Sequence, residues 1–168
     1  PKTREKARAD VESHISGMPP RWDLLESAAV RLRGGKHGLM PFHWQIEFPE
    51  DFARENGGFD AIVGNPPFLG GTKISAAYSP SYFHWLSSNV LFNGDKADLI
   101  AYFFRRIFSI LRNQGVAGIV STSSIAEGDT RKAALAWACQ NGGQIFRAFK
   151  KDPWPGEANV DISRIHVA

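Results

Sequence analysis

The stretch FDAIVGNPPFLGG, residues 59–71, decides how the chain is interpreted. An apolar strand, Phe59 to Gly64, runs directly into Asn65-Pro66-Pro67-Phe68 and then into glycines. A continuous apolar run suits a strand that is covered on both faces, as in a parallel sheet. A residue before proline is held extended, and proline has no N–H. The stretch therefore predicts a buried strand that ends in a rigid segment rich in hydrogen-bond acceptors.

This segment, Asn65–Phe68, is hereafter the acceptor segment. The side-chain carbonyl of Asn65 and the backbone carbonyl of Pro66 are two acceptors fixed close together. Such a pair suits a group with two N–H donors, either an exocyclic amine or a primary amide. Phe68 adds a flat ring for stacking. Holding both N–H groups of a weakly nucleophilic amine aims its lone pair, and positioning of this kind lowers a barrier by about 7–11 kcal/mol. The alternative is a plain turn after a strand.

The flanking pattern predicts an α/β fold, a partial doubly wound Rossmann-like sheet with a C-terminal antiparallel hairpin. In such sheets ligands lie beyond the carboxyl ends of the strands, where the acceptor segment and Ser121–Ser124 both fall. Before the acceptor segment, the predicted elements are helices before residue 35, a short strand at 42–48, a helical turn near 50–58 and the strand at 59–64. After it come an excursion with one short helix at 69–94, a helix from Asp95 or Asp98 to Gly115 and a strand at 116–122. The last predicted elements are a helix capped by Asp129 and reaching 140, a strand at 144–150, a turn at 152–156 and a strand at 159–168.

The run FDAIVGNPPF resembles the catalytic motif of S-adenosylmethionine-dependent amino methyltransferases. It is most similar to the gamma-type N6-adenine DNA methyltransferases of restriction-modification systems. The runs FHWQIEFPEDF, ADLIAYFFRRIFSILRNQG, GVAGIVSTSSIAEGDTRKAAL and DPWPGEANVDISRIHV resemble segments that flank this motif. The resemblance thus covers residues 42–168, the catalytic part from motif IV to motif VIII, and leaves residues 1–41 as a helical N-terminal segment.

The resemblance implies a role for each matching residue. Asn65 and Pro66 would hold the amino group of adenine, Pro67 would complete the motif, and Phe68 would stack on a base flipped out of double-stranded DNA. The implied substrate contacts are Trp154, Ser121, Thr122 and Arg131, and the implied cofactor contacts are Asp98 and Tyr102. From the residues alone, Asp98 is also the expected N-cap of its helix. Methylation of RNA or of protein glutamine, or a non-catalytic binding module on the same scaffold, remain alternatives.

The cofactor half of this fold is not found in the sequence. A glycine-rich Phe-x-Gly-x-Gly turn and a carboxylate for the ribose are both missing. The chain is therefore expected to carry strands four to seven of the fold without strands one to three, and to bind S-adenosylmethionine weakly by itself. The strand at 59–64 would then be an exposed apolar edge, which predicts self-association.

Composition fits a globular protein: of 168 residues, 43% are hydrophobic and 22% charged, and the net charge is +3. No apolar run is long enough to cross a membrane, and PKTREKARAD lacks the apolar core of a signal peptide, so a cytoplasmic location is predicted. The first residue is proline, which suggests a piece of a longer protein. The single cysteine, Cys139, excludes an internal disulfide, and the histidines have no metal-ligand spacing.

Overall fold

The computed structural model describes residues 9, 12–13, 16, 22–34, 38–89, 97–155, 157 and 160–168. The chain divides into two compact units, Pro1–Phe42 and His43–Ala168. The first unit contains helix α1, Trp22–Arg33. The helix predicted ahead of it falls largely outside the described residues. No helix within the described ranges is long and apolar enough to span a bilayer.

The second unit is a mixed α/β structure, which confirms the predicted fold class at that level. Its elements follow in chain order: α2 (Trp44–Glu47), α3 (Pro49–Phe52), β1 (Phe59–Gly64), α4 (Gly71–Ala77), α5 (Pro80–Asn89), α6 (Leu99–Ile110), β2 (Leu111–Thr122), a 3-10 turn (Ser123–Ala126), α7 (Gly128–Arg131), a π-helical turn (Lys132–Ala136), α8 (Trp137–Gln140), β3 (Ile145–Pro153) and β4 (Asp161–Val167).

The four strands form one mixed sheet in the order β1-β2-β4-β3. β1 pairs parallel with β2, while β4 runs antiparallel to both β2 and β3. Strands β1, β2 and β3 therefore point the same way and end at one side of the sheet, here called the carboxyl edge. The predicted parallel pairing and the predicted C-terminal hairpin are both confirmed.

One face of the sheet carries the main core. Ile100 and Phe104 of α6 belong to the same buried cluster as Ile119 of β2 and Ile165 of β4. The strong apolar stripe of α6 was correctly predicted from its spacing. The helix ends at Ile110 and not near Gly115, because the chain joins β2 at once and Leu111 pairs with Phe59.

The opposite face of the sheet is bare within the described part of the chain. Val63 is 86% exposed, and Val116 and Phe146 are exposed beside it in a shallow groove that His166 also lines. The prediction that β1 is covered on both faces is therefore wrong for this chain. β1 is also an edge strand, since β2 is its one partner among the described residues.

The strand predicted over residues 42–48 is wrong, since this segment forms helix α2. Trp44 and Phe48 lie one helical turn apart and stack with ring centroids 5.8 Å apart. Both rings, and that of Phe52, meet the ring of Phe59 edge-on at 5.2–5.4 Å. Alternating aromatics suggested a strand, but packing around Phe59 favours the four-residue spacing of a helix.

The long excursion at 69–94 contains two described helices, α4 and α5, where one was predicted. Ser79 explains the second: its Oγ accepts a 3.0 Å hydrogen bond from the N–H of Tyr82, and Pro80 occupies the first helical position. A serine cap followed by proline is a common start of a helix.

Two smaller predictions near the C-terminus are also wrong. The helix expected to be capped by Asp129 begins at Gly128, and Asp129 instead forms an ion pair with Lys132 at 3.5 Å. The turn expected at residues 152–156 starts later, because Asp152 and Pro153 still pair with β4.

An ion-pair cluster fixes the amino end of β1. Asp60 accepts hydrogen bonds from Arg112 Nε at 2.5 Å and from Arg54 Nη2 at 3.1 Å. These two guanidinium groups lower the pKa of the Asp60 carboxyl below its usual value of 3.8. The cluster lies at the end of the strand opposite the acceptor segment, so it supports the fold and not the site.

Candidate functional site

The acceptor segment leaves the sheet at the carboxyl edge. Gly64, the last residue of β1, is in register with Ile119, and β2 continues three residues further to Thr122. Asn65 is exposed, and the ring of Phe68 is 36% exposed. The segment is therefore a ledge beside the end of β2, with its amide and its ring open to solvent.

Two glycines on either side of this ledge leave open space. Apart from its chain neighbours, a Cβ atom added to Gly64 or to Gly70 would meet no atom of the described residues within 4 Å. Packing within the protein therefore does not require glycine at either position. The two positions that flank the acceptor segment are therefore open among the described residues.

Asp98 holds the exit of the acceptor segment in place. Its Oδ1 accepts hydrogen bonds from the N–H of Leu69 at 2.9 Å and from the N–H of Ile100 at 3.1 Å. The N–H of Leu99 donates back to the carbonyl of Leu69 at 2.9 Å. The N–H of Asp98 donates to Thr130 Oγ1 at 3.0 Å. Asp98 thus joins three parts of the chain: its carboxylate holds the exit of the segment and the start of α6, and its backbone N–H contacts Thr130 of α7. The predicted N-cap role is confirmed.

The two residues implied for the cofactor lie inside the protein. Asp98 is buried with one carboxylate oxygen engaged by two N–H groups, and Tyr102 is buried in a second apolar cluster with Ile74 and Leu86. Asp98 Oδ1 is thus occupied by backbone donors, and the hydroxyl of Tyr102 is buried. Their arrangement in this structure fits a structural role.

The serines and threonine implied for the substrate are placed differently from one another. Ser121 is fully buried opposite Ser163 of β4, on the core side of the sheet. Thr122 and Ser124 are half-buried at the carboxyl edge, where their hydroxyl oxygens lie 2.7 Å apart. Arg131 is exposed in α7 at the same edge. Thr122 and Arg131 are thus accessible next to the acceptor segment, and Ser121 is not.

Trp154 follows β3 at the carboxyl edge and is partly exposed. Its N–H donates to the carbonyl of Val160 at 3.0 Å, which closes the hairpin loop. The ends of β1 and β3 are three strand spacings apart, about 14 Å. A base held between two rings needs them about 7 Å apart. The strands alone therefore do not bring Phe68 and Trp154 together as the two walls of one pocket.

Charges at the carboxyl edge are largely paired. Lys150 lies 4.0 Å from Glu127, and Arg164 hydrogen-bonds to Asp152 across the hairpin. Arg131 forms no ion pair with the residues that the structure describes. Within those same residues, no three His, Cys, Asp or Glu side chains are grouped as a metal site would require.

Sequence reasoning missed the hydrogen bonds that position the site. The contact between Asp98 and Thr130 joins residues 32 positions apart, and no local sequence pattern predicts such a contact. The Ser79-Pro80 pair did carry a local signal for helix α5. Three aromatic residues lie in contact with one another around this helix start, Tyr78, Tyr82 and Trp85.

Comparison with known proteins gives a family match and a structural match. The family model described as Eco57I restriction-modification methylase matches residues 26–141, well over half of the chain. A solved structure of the Type IIL restriction-modification enzyme MmeI in complex with DNA is 26% identical, with a TM-score of 0.49. The match covers 64% of this chain and 15% of that one, so the chain spans a small part of the structure that it matches. No curated protein matches the chain significantly.

Proposed function

Because the chain belongs to the Eco57I restriction-modification methylase family, we propose that it is the base-binding part of a DNA adenine-N6 methyltransferase. The observation that carries this proposal is the acceptor segment itself. It lies at the carboxyl edge of the sheet, with Asn65 exposed, Phe68 partly exposed and Leu69 fixed by the buried Asp98. We assign the four strands to one half of a doubly wound, Rossmann-like sheet.

The proposed chemistry of the segment is recognition and orientation of an amine. The exocyclic N6 group of adenine offers two N–H donors. The side-chain carbonyl of Asn65 and the backbone carbonyl of Pro66 accept one each, while Pro67 keeps the backbone rigid. Both N–H bonds are then directed into the protein, which turns the nitrogen lone pair away from the ring and towards the open side of the ledge.

The remaining substrate contacts follow from the same geometry. Adenine leaves the duplex to reach the ledge and stacks on Phe68. Arg131 contacts a phosphate, Thr122 contacts the base or sugar beside β2, and Trp154 contacts the DNA further along the edge. Ser121 is buried on the core side of β2, so it supports the end of this strand and makes no contact with DNA.

We propose S-adenosylmethionine as the methyl donor, on the basis of the family. Asp98 and Tyr102 are both largely buried, and Asp98 Oδ1 already accepts from two backbone N–H groups, so we expect other residues to supply most of the contacts with the donor. The cofactor therefore requires residues other than these two, and we expect this chain by itself to bind it weakly. Micromolar affinity in a calorimetric titration of the chain would contradict this expectation.

The nature of the methyl acceptor is the direct test of this function. The full-length protein that carries this chain is incubated with duplex DNA and cofactor labelled in its methyl group, and the DNA is digested to nucleosides. We expect the label in N6-methyladenine. Label in methylcytosine contradicts the proposed target, and so does label in RNA or in a protein glutamine but not in DNA when these are supplied in parallel reactions.

A further inference from the structure

Three aromatic side chains form a ladder on the α4–α5 helical hairpin. The ring centroids of Tyr78 and Tyr82 are 5.0 Å apart, at an interplanar angle of 41°. Those of Tyr82 and Trp85 are 5.9 Å apart and nearly parallel, at 23°. The three residues are called the aromatic ladder below. Offset stacking of this kind gives a continuous surface of ring faces and edges.

The backbone holds this ladder in place. The N–H of Tyr78 donates to the carbonyl of Ile74 at 3.0 Å and ends helix α4. The N–H of Tyr82 donates to Ser79 Oγ at 3.0 Å and begins helix α5. The inner side of Tyr82 packs against the second apolar cluster. Because Tyr78 and Tyr82 sit at hydrogen-bonded helix ends and Trp85 lies within helix α5, a partner that binds the rings has little ordering cost to overcome.

The outer side of the ladder faces solvent. Trp85 is 55% exposed and Tyr78 is also exposed, although aromatic rings of this size gain most from burial. Residues 71–89 contain no Asp or Glu, and they carry Lys73 and His84. An exposed set of rings without negative charge suits an anionic partner that has flat faces of its own. Nucleic acid has both properties.

The ladder lies within reach of DNA bound at the acceptor segment. Helix α4 begins three residues after Phe68, and those residues span at most about 10 Å. The seven residues of α4 add about 10 Å more. Tyr78 is therefore within about 20 Å of Phe68, or about six nucleotides at 3.4 Å each along one strand.

We propose that the aromatic ladder is a second DNA contact, on which bases of the strand next to the flipped adenine stack. The inference rests on the proposed function and deepens it. Extruding a base breaks the stack at that point and costs a few kcal/mol. Ring faces supplied along the same strand, within about six nucleotides of the gap, offset part of that cost whatever the sequence, since every base has a π-face.

The test compares Trp85→Leu and Trp85→Phe in the full 168-residue chain, with Trp22→Leu as a matched control. Trp22 is exposed to a similar degree, 60%, outside the second unit. Dissociation constants for fluorescein-labelled single-stranded and duplex DNA are measured by anisotropy over a series of salt concentrations. Stacking on one ring corresponds to a loss of about 5- to 150-fold on removal.

We expect Trp85→Leu to weaken binding by that factor without changing the salt slope, because no phosphate contact is lost. Trp85→Phe should retain most of the affinity, and Trp22→Leu should bind as the wild type does. Equal affinity of Trp85→Leu and wild type overturns the inference, as does a wild-type chain that binds no DNA. Since this measurement involves no methyl transfer, the ladder can fail while N6-adenine methylation stands, and the reverse also holds.

Discussion

The N–H of Leu69 donates a 2.9 Å hydrogen bond to Oδ1 of Asp98, a carboxylate 29 residues further along the chain. This contact fixes the residue that directly follows the acceptor segment. The same oxygen caps helix α6 through Ile100. The position of the proposed amine-binding ledge therefore depends on a helix cap, and the helix in turn is anchored in the main core.

Replacing Asp98 tests this link through stability. Asp98→Ala leaves the N–H groups of Leu69 and Ile100 without their acceptor in a buried place. We expect a loss of about 2–3 kcal/mol in the free energy of unfolding, from a lost cap and a second unsatisfied donor. Asp98→Asn keeps a carbonyl oxygen and should cost less than about 1 kcal/mol. Urea unfolding measures both, and equal stability of Asp98→Ala and wild type would show that the cap does not anchor the segment.

The Asp60 cluster predicts how stability changes with pH. Arg112 and Arg54 lower the pKa of Asp60 in the folded state below 3.8. A carboxyl with a lowered pKa stabilises the fold fully above its unfolded pKa, and this contribution is lost as the pH falls through the folded pKa. We therefore expect Asp60→Asn to have a lower urea midpoint than wild type at neutral pH, and the difference to vanish in strong acid.

The control for the Asp60→Asn measurement is Glu55→Gln. Glu55 is an exposed residue near Asp60 in sequence, and it makes no ion pair with the described residues. Its midpoint should follow that of the wild type at every pH. A constant difference between Asp60→Asn and wild type down to strong acid would mean that the two guanidinium contacts do not set the titration. Direct observation of the Asp60 carboxyl by NMR gives the folded pKa independently.

How much the sequence predicted depends on the range of the interactions involved. Helix α6 and strands β1 to β4 were predicted because each has a strong period or a continuous apolar run. Residues 42–48 fit an alternating pattern and a helical pattern equally well, and the contact of Trp44 and Phe48 with Phe59 decided between them. Helix α5 was not predicted, although a serine cap followed by proline, Ser79-Pro80, is a local signal for its start.

For the site as well, local features were predicted from the sequence and long-range contacts were not. The acceptor segment was located correctly at the carboxyl edge, because a strand followed by Asn-Pro-Pro-Phe is a local feature. The buried positions of Ser121 and Tyr102 depend on β4 and on helices α4 and α5, and the sequence of their own neighbourhood does not contain that information. The hydrogen bond between Asp98 and Thr130 also cannot be predicted without knowledge of the fold.

The exposed edge of the sheet leads to a prediction about self-association. Val63 is 86% exposed on edge strand β1, next to other apolar side chains of the bare face. We propose that copies of this chain associate through this edge. Val63→Lys should reduce the sedimentation coefficient at high concentration without changing the unfolding midpoint, since a charged edge opposes pairing.

Val30 provides the matched control for Val63, because it is 63% exposed in the first unit. Val30→Lys should associate as the wild type does. A wild-type chain that stays monomeric at high concentration contradicts the proposal, and so does a Val63→Lys variant that associates unchanged.

In the proposed function, the side-chain oxygen of Asn65 orients the amine that receives the methyl group. The measurement is kcat for methyl transfer to adenine in DNA by the full-length protein and by Asn65→Ala, with Asn141→Ala as an exposed asparagine away from the ledge. Loss of one oriented hydrogen bond to a reacting centre typically lowers kcat by about 10²–10³. We expect that loss for Asn65→Ala at unchanged stability, and none for Asn141→Ala. Full activity in a folded Asn65→Ala variant would contradict this role of Asn65.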